Sequence, residues 1–434
     1  LKALNKDKER SLARELAGVV GDQYVEVNPA LRIDRLAPWV MVKPESADEV
    51  AGCLALCADH EAAVVPIGGG TWLNSGNPLR EANVVLSLQR MSRIIDYSPA
   101  DLTATVEPGI AIGEFNMVAM RQRQWLPLDP PGSPGATLGA IAACASSGPL
   151  RFGFGTPRDY VIGLRLAHSN GSQSKSGGKV VKNVAGYDMN KLYVGSHGTL
   201  AVLTALTVKL RPLPERFCTV AVTSNSHAQL SDLAGQILQA PVVPASVILS
   251  NAVRTEPPGN KLHPWALLVQ FADTEVAVTH QVEIASRLLS PAGDVLEIQP
   301  EEAKQVWLDV ANVDERRAQA IRISVQPSNV TPVVNDLERW LATDPIIVAA
   351  DFGTGIIRVA FESTSATAID AVNNVRAALS SFEASVVYEG RDFDVRSGLD
   401  TWGDAGPCGP IMKSIKASFD PGSMFNPGRF VAEI

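Results

Sequence analysis

Residues 175–214 read KSGGKVVKNVAGYDMNKLYVGSHGTLAVLTALTVKLRPLP, with Gly177, Gly178, Gly186, Gly195 and Gly198 set among short β-rich segments. Glycine has no Cβ to hold a ligand off, so backbone N–H groups can close on it. Two further glycine-rich pieces lie upstream, PIGGGTWLNSGNP at 66–78 and PGSPGATLGAIAACASSGP at 131–149. Three such loops in one region suggest a wrapped, phosphate-bearing cofactor. Taken singly, each also reads as a turn of a glycine-rich β protein, because glycine is the default turn residue.

The surrounding chain narrows the choice. At 434 residues it is too long for one ordinary core, and two domains are the natural expectation. Hydrophobic residues make up 46% and charged residues 19%, the balance of a globular protein. The chain begins at Leu1 rather than Met. No apolar run reaches the roughly 18 residues of a membrane span, and no secretory leader is expected from the first residues. A net charge of -8 argues against nucleic acid, which wants a basic face. The five cysteines (Cys53, Cys57, Cys144, Cys218 and Cys408) are scattered and odd in number, which suits a reducing cytosol. Cys53 and Cys57 are expected as buried small apolar residues of one helix, and no metal site is expected.

In chain order, residues 1–20 read as a charged helix, and Ser46 with Glu49 three residues on caps a second. Ala63 to Ile67 reads as a buried strand running into Gly68-Gly69-Gly70-Thr71. Such a strand can present successive N–H groups to a diphosphate. The loop is neither G-x-G-x-x-G before a long helix nor a Walker loop, since Asn74 to Pro78 is turn sequence and no Gly-Lys-Ser/Thr occurs there. Short strands follow at Val84–Leu88, Arg93–Tyr97 and Leu102–Glu107, then an amphipathic helix from Ile112 to Gln124. The small residues of TLGAIAACASSG let a helix lie close to a flat ligand. Val161–His168 and Ser172–Lys175 read as a hairpin joined at Asn170-Gly171 by a type I′ turn. Leu200 to Leu210 is an apolar strand, and Pro212 with Pro214 marks a boundary between domains 1–214 and 215–434.

Five ordered motifs carry a family resemblance: PIGGGT, LSLQRMSRIIDYSPADLTATVEPGI, ATLGAIAACASSGP, FGTPRDYVIGLRLAHSNG and VGSHGTLAVLT. Together they resemble the FAD-binding domain of the vanillyl-alcohol oxidase type. Within that group KSGGKVVKNVAGYD and the tail KASFDPGSMFNPGRF resemble the FAD-binding subunit of bacterial glycolate oxidase, so the resemblance runs over nearly the whole chain. It implies an α+β fold: a two-subdomain FAD-binding domain followed by a tandem ferredoxin-like cap. It also implies non-covalent FAD, since Thr71-Trp72 stands where some relatives carry an attaching histidine. Gly68, Gly69, Gly70 and Thr71 would cradle the pyrophosphate, with Trp72 and Asn74 close by. Pro131, Gly132, Thr137, Gly139, Ser146, Ser147 and Gly148 would line a second side, and Gly195, Gly198 and Val202 would approach from the last strand. Ile67, Ala140 and Ala145 depart from the family pattern and remove polar contacts.

Other residues keep two readings. His197 stands where an acidic residue is common; it reads as a loop histidine at the surface or hydrogen-bonded, or as a flavin contact. Arg158 and Asp159 read as an ion pair anchoring a turn. Lys175, Lys179 and Lys182 form a small basic patch, solvated or facing phosphate or a partner.

The second half alternates as β-α-β-β-α-β twice, which suggests one antiparallel sheet with helices on one face. Arg322 and Arg358, expected on corresponding strands of the two repeats, are candidates for a substrate carboxylate. The paired-histidine motif of catalytic relatives, H-x-G-D-G-N-x-H, is missing from the sequence, and no catalytic residue is assigned. The resemblance therefore implies a subunit working with a catalytic flavoprotein and an iron–sulfur subunit on glycolate or another small 2-hydroxy acid. It implies a cytoplasmic location, at the inner membrane face through its complex. A stand-alone 2-hydroxy-acid (D-lactate-like) dehydrogenase and a non-catalytic scaffold are the alternatives.

Overall fold

The computed structural model describes residues 2–179, 187–253, 265–343 and 345–434. The chain opens with α1 (Lys2–Val20), β1 (Val25–Val27), β2 (Val40–Val42), α2 (Ala47–Asp59), β3 (Val64–Ile67) and β4 (Val84–Ser87). Ser46 Oγ accepts from Glu49 N at 3.1 Å, as the capping pattern predicts, while Glu49 reaches back to the backbone N of Glu45. Val50, Cys53, Leu54 and Cys57 repeat at helical spacing and meet Leu12 and Leu16 of α1 in one core. The two cysteines are 0% and 1% exposed and behave as small apolar residues. The sheet order is β1-β2-β4-β3, with β4 parallel to both β2 and β3. β3 ends at the glycine loop, so this sheet aims that loop.

Next come β5 (Ile94–Ser98), β6 (Thr103–Val106), α3 (Ile112–Met120), β7 (Gln124–Trp125), α4 (Leu138–Cys144), α5 (Arg151–Phe154), α6 (Pro157–Tyr160), β8 (Val161–Ala167), β9 (Gln173–Gly177), α7 (Asn190–Tyr193), β10 (Val202–Lys209) and β11 (Arg211–Pro212). An antiparallel sheet forms in the order β5-β6-β10-β8-β9. α3 stops at Met120 rather than Gln124, because Arg123 is left-handed (φ 53°) and Gln124–Trp125 pairs with Arg211–Pro212. The hairpin turn also differs from type I′, which needs two left-handed residues. Gly171 alone of its loop has positive φ (77°), and Gly171 N donates to His168 O while His168 N donates to Ser172 O. That is a three-residue loop closed by a left-handed glycine.

The remaining chain supplies β12 (Arg216–Ser224), α8 (His227–Gln239), β13 (Ser246–Ser250), β14 (Trp265–Asp273), α9 (Glu275–Leu289), β15 (Leu296–Ile298), α10 (Pro300–Ala311), β16 (Gln319–Ser324), α11 (Val330–Leu341), β17 (Ile347–Asp351), β18 (Ile356–Phe361), α12 (Ser365–Ala378), β19 (Ser385–Tyr388), α13 (Phe393–Gly398) and α14 (Gly409–Phe419). One eight-stranded sheet runs β15-β12-β14-β13-β17-β18-β16-β19, so each set of four strands is ordered fourth, first, third, second from its outer edge. The sets join where β13 pairs with β17. α8, α9, α11 and α12 cover one face. The other face is not bare: Ala221, Ile248, Ala266 and Leu268 point to it and meet Val306 and Val310 of α10. Helices on a single face was therefore too simple. Arg322 and Arg358 sit on the adjacent strands β16 and β18 of the second set, directly opposite each other, rather than one in each set.

The tail returns to the first sheet. Val64 N donates to Met424 O and Asn426 N to Val64 O, laying residues 424–426 beside β3. Two buried ionic knots hold it. Lys416 Nζ meets Asp420 Oδ2 at 2.6 Å, Thr199 O at 2.8 Å and Phe425 O at 2.9 Å. Asp34 takes Arg396 on Oδ1 at 2.6 Å and Arg429 on Oδ2 at 2.8 Å. Arg396 also donates to Gly76 O, and Arg429 to Leu73 O and Asn77 O, so the second knot fixes the chain that leaves the glycine loop. Among the described residues no helix is long and apolar enough to cross a membrane.

Candidate functional site

Three neighbouring cavities open around the glycine loop and share Trp72 and Ser75 as walls. The first is a narrow cleft of about 110 Å³ lined by Gly68, Gly70, Thr71, Trp72, Thr137, Gly139, Gly198 and Val202, all singled out from sequence. The second, of about 480 Å³, reaches the eight-stranded sheet and takes in Ser146, Ser147, Gly148, Gly195, Arg322 and Arg358. The third, of about 330 Å³, is walled by Gly69, Asn74 and Pro131. Gly132 lies behind the wall: its N donates to Asn312 Oδ1, and a Cβ on it would come within 2.4 Å of Thr71 Cγ2. All the predicted cofactor residues thus converge, from segments more than a hundred residues apart.

The glycines are there because neighbours approach closely. A Cβ on Gly68 would lie 2.1 Å from Thr137 Oγ1, and one on Gly148 would lie 1.9 Å from Asp129 O. Thr137 precedes α4, and its buried hydroxyl has no hydrogen-bond partner. Of the five buried hydroxyls without a partner among the described residues, that of Thr137 is the one in the cleft lining, where it suits a polar ligand atom. Gly70 is left-handed (φ 78°) with nothing within 4 Å of its would-be Cβ, so its backbone faces open space.

His197 is half-buried between two cavities. Its backbone is left-handed (φ 52°), its N donates to Ala143 O, and its ring packs 4.5 Å from Trp402 and 5.1 Å from Phe430. Burial, reinforced by Arg322 and Arg429, pushes it from 6.5 to about 3, so the ring is neutral at physiological pH. Cys144, on the same wall, is pushed up by burial to about 12 and stays a thiol.

In the second cavity Arg322 Nε donates to Glu389 Oε1 at 2.6 Å, and Arg358 Nη2 to Ser147 O at 3.2 Å. Arg358 Nε stands 3.9 Å from Glu389 Oε2. Burial raises the Glu389 carboxyl, but Arg322 and Arg358 outweigh it and hold the group below its ordinary value. Arg158 and Asp159 do not pair with each other. Arg158 donates to Lys191 O, while Asp159 Oδ2 accepts from the N and Oγ1 of Thr156 and caps α6. Lys179 pairs with Asp96, Lys175 is exposed, and Lys182 and Gly186 lie outside the described residues.

Sequence reasoning missed Arg151, Glu389, Asn426, Arg429, Trp402 and Phe430, all of which line these cavities. The motif FNPGRF held three of them, but only the returning tail shows what they face. Asp129, behind Gly148, carries a separate consequence. Burial pushes it from 3.8 to about 7, against hydrogen bonds from Leu150 N and others. A carboxyl raised on folding adds stability below its unfolded pKa and loses it as pH rises through the folded value. Asp129→Asn is expected to flatten this fall, read as a smaller drop in urea midpoint from well below pH 7 to well above it.

Residues 38–177 match the family model described as "FAD binding domain". The match covers about a third of the chain and supports FAD as its cofactor. Glycolate oxidase subunit GlcD of Bacillus subtilis (strain 168) is 34% identical over 210 residues, which cover 48% of this chain and 45% of that protein. Glycolate oxidase subunit GlcE of Escherichia coli (strain K12) is 35% identical over 147 residues, covering 34% and 42%. The chain thus spans less than half the length of these two relatives. Among solved structures, p-cresol methylhydroxylase with substrate bound superposes at a TM-score of 0.78 with 15% identity, over 98% of this chain and 96% of that one. That likeness shows a shared fold over nearly the whole chain. The cleft fits FAD: close-packed glycines, a free Thr137 hydroxyl and the buried Arg429 cation suit an anionic, flat group.

Proposed function

We propose that this chain is the FAD-binding subunit of a glycolate-oxidase-type complex that oxidises glycolate or a related 2-hydroxy acid to the 2-oxo acid. One observation carries the reading: an arginine-walled cavity of about 480 Å³ adjoins the glycine cleft across Trp72, Ser75, Cys144 and His197. When bound, FAD supplies the two-electron acceptor chemistry. The residues present supply the rest. The backbone of Gly68–Thr71 binds phosphate through N–H groups, and the Thr137 hydroxyl adds a polar contact. Trp72, neutral His197, Trp402 and Phe430 form a wall that excludes water, and the arginine cluster attracts and orients a carboxylate. The eight-stranded sheet serves as a tandem ferredoxin-like cap over that cavity.

Support for a complex comes from the two relatives named as subunits and from the missing paired-histidine motif. The partners proposed are a catalytic flavoprotein and an iron–sulfur subunit, assembled at the cytoplasmic face of the membrane. A stand-alone hydroxy-acid dehydrogenase is the second reading, favoured by four arginines gathered in one cavity beside the glycine cleft. Anaerobic mixing with glycolate and D-lactate separates them. Flavin bleached only in a preparation containing a second flavoprotein and iron supports the complex. Bleaching of the isolated chain supports the stand-alone enzyme, and no bleaching in either preparation removes both.

A further inference from the structure

We propose that Arg151, on α5, is the residue that grips the carboxylate of the acid in the second cavity. The inference rests on the hydroxy-acid reading and assigns to one residue the carboxylate contact that reading gives to the arginine cluster as a whole. Four arginines and two carboxylates line the cavity: Arg151, Arg158, Arg322, Arg358, Asp351 and Glu389. Three of the arginines are engaged. Arg158 donates to Lys191 O, Arg322 to Glu389 and Ser324, and Arg358 to Ser147 O. The Arg151 side chain makes no hydrogen bond or ion pair among the described residues, although it is partly buried beside the others.

Asp351 and Asp159 attract it from nearby, but neither forms a hydrogen bond or ion pair with it. Asp351 accepts from Gly353 N, Thr354 N and Thr354 Oγ1, and Asp159 is held by Thr156. A guanidinium set among like charges without a directly bonded counter-ion is costly, and a planar anion relieves that cost through two parallel N–H bonds. The backbone under Arg151 is firmly placed. Leu150 N donates to Asp129, Gly153 N donates to Ala245 O, and Leu150 packs with Trp125 and Ala245. A fixed backbone and an uncommitted fork make a preorganised carboxylate anchor. Arg322 and Arg358, bridged by Glu389, become positioning residues that keep the cavity positive.

Oxalate, a small carboxylate that cannot be oxidised as a hydroxy acid, is the probe. Its binding to the FAD-loaded protein is read by calorimetry and by the perturbed flavin spectrum, with no turnover required. Arg151→Met and Arg151→Gln are expected to weaken oxalate binding about 10- to 100-fold with unchanged flavin content, and Arg151→Lys to fall between. Wild-type oxalate affinity in both neutral variants overturns the proposal. So does inorganic sulfate binding as tightly as oxalate at the same place, which would make the cavity a general oxyanion site. If oxalate binding depends on Arg151 but no hydroxy acid bleaches the flavin, the anchor stands and the oxidation reading alone fails.

Discussion

Asp34→Ala is expected to cost about 3–5 kcal/mol of unfolding free energy, measured from denaturant midpoints and slopes. Asp34 is 8% exposed and is the shared counter-ion of two buried arginines, Arg396 (3%) and Arg429 (5%), while its Oδ2 also accepts from Leu79 N. Removing it leaves two positive charges side by side in the interior. Two arginines against one carboxylate already leave a surplus positive charge beside the cleft, which would suit an anionic cofactor. FAD should therefore stabilise the wild type strongly, and Asp34→Ala should bind it less well because the chain from Leu73 to Asn77 loses its anchor. A loss below about 1 kcal/mol would show that the knot is hydrated rather than buried.

Gly68→Ala should lower FAD affinity roughly 5- to 150-fold, the equivalent of about 1–3 kcal/mol of overpacking. The added Cβ would stand 2.1 Å from Thr137 Oγ1, 3.1 Å from its Cβ and 3.2 Å from its Cγ2, so the loop must retreat from α4. The double variant Gly68→Ala with Thr137→Ala removes the two outer atoms and should recover most of the stability lost. It should not recover full FAD affinity, because the hydroxyl offered to the ligand is gone. Equal recovery of both quantities would mean that Thr137 only fills space. Flavin fluorescence during titration of the apoprotein reports the affinity, and thermal unfolding reports the stability.

What could be read in the sequence was local. The Ser46–Glu49 cap, the glycine run after β3 and the repeated strand–helix order each depend on residues near one another in the chain, and each is found where spacing puts it. What could not be read depends on distance. Arg151, Glu389 and Arg429 meet at one site only because the tail folds back on β3 and the eight-stranded sheet lies over the cleft. His197 looked like an ordinary loop residue until Trp402 and Phe430 closed on it. Two misses had visible signals. The spacing of Ala303, Val306, Trp307 and Val310 marks a helix with an apolar stripe, and Trp307 Nε1 donates to Thr219 on the sheet face it covers. Asn170-Gly171 suggested a two-residue turn, but the pairing of His168 with Ser172 makes the loop one residue longer.

Flavin binding in the cleft is tested most directly by the visible absorbance of the purified chain after saturation with FAD and gel filtration. A yellow protein carrying one FAD per chain, with all the flavin passing into the supernatant on acid precipitation, is the predicted result. Flavin left on the precipitated protein would contradict non-covalent binding, and a colourless protein that takes up no added FAD would contradict the site itself.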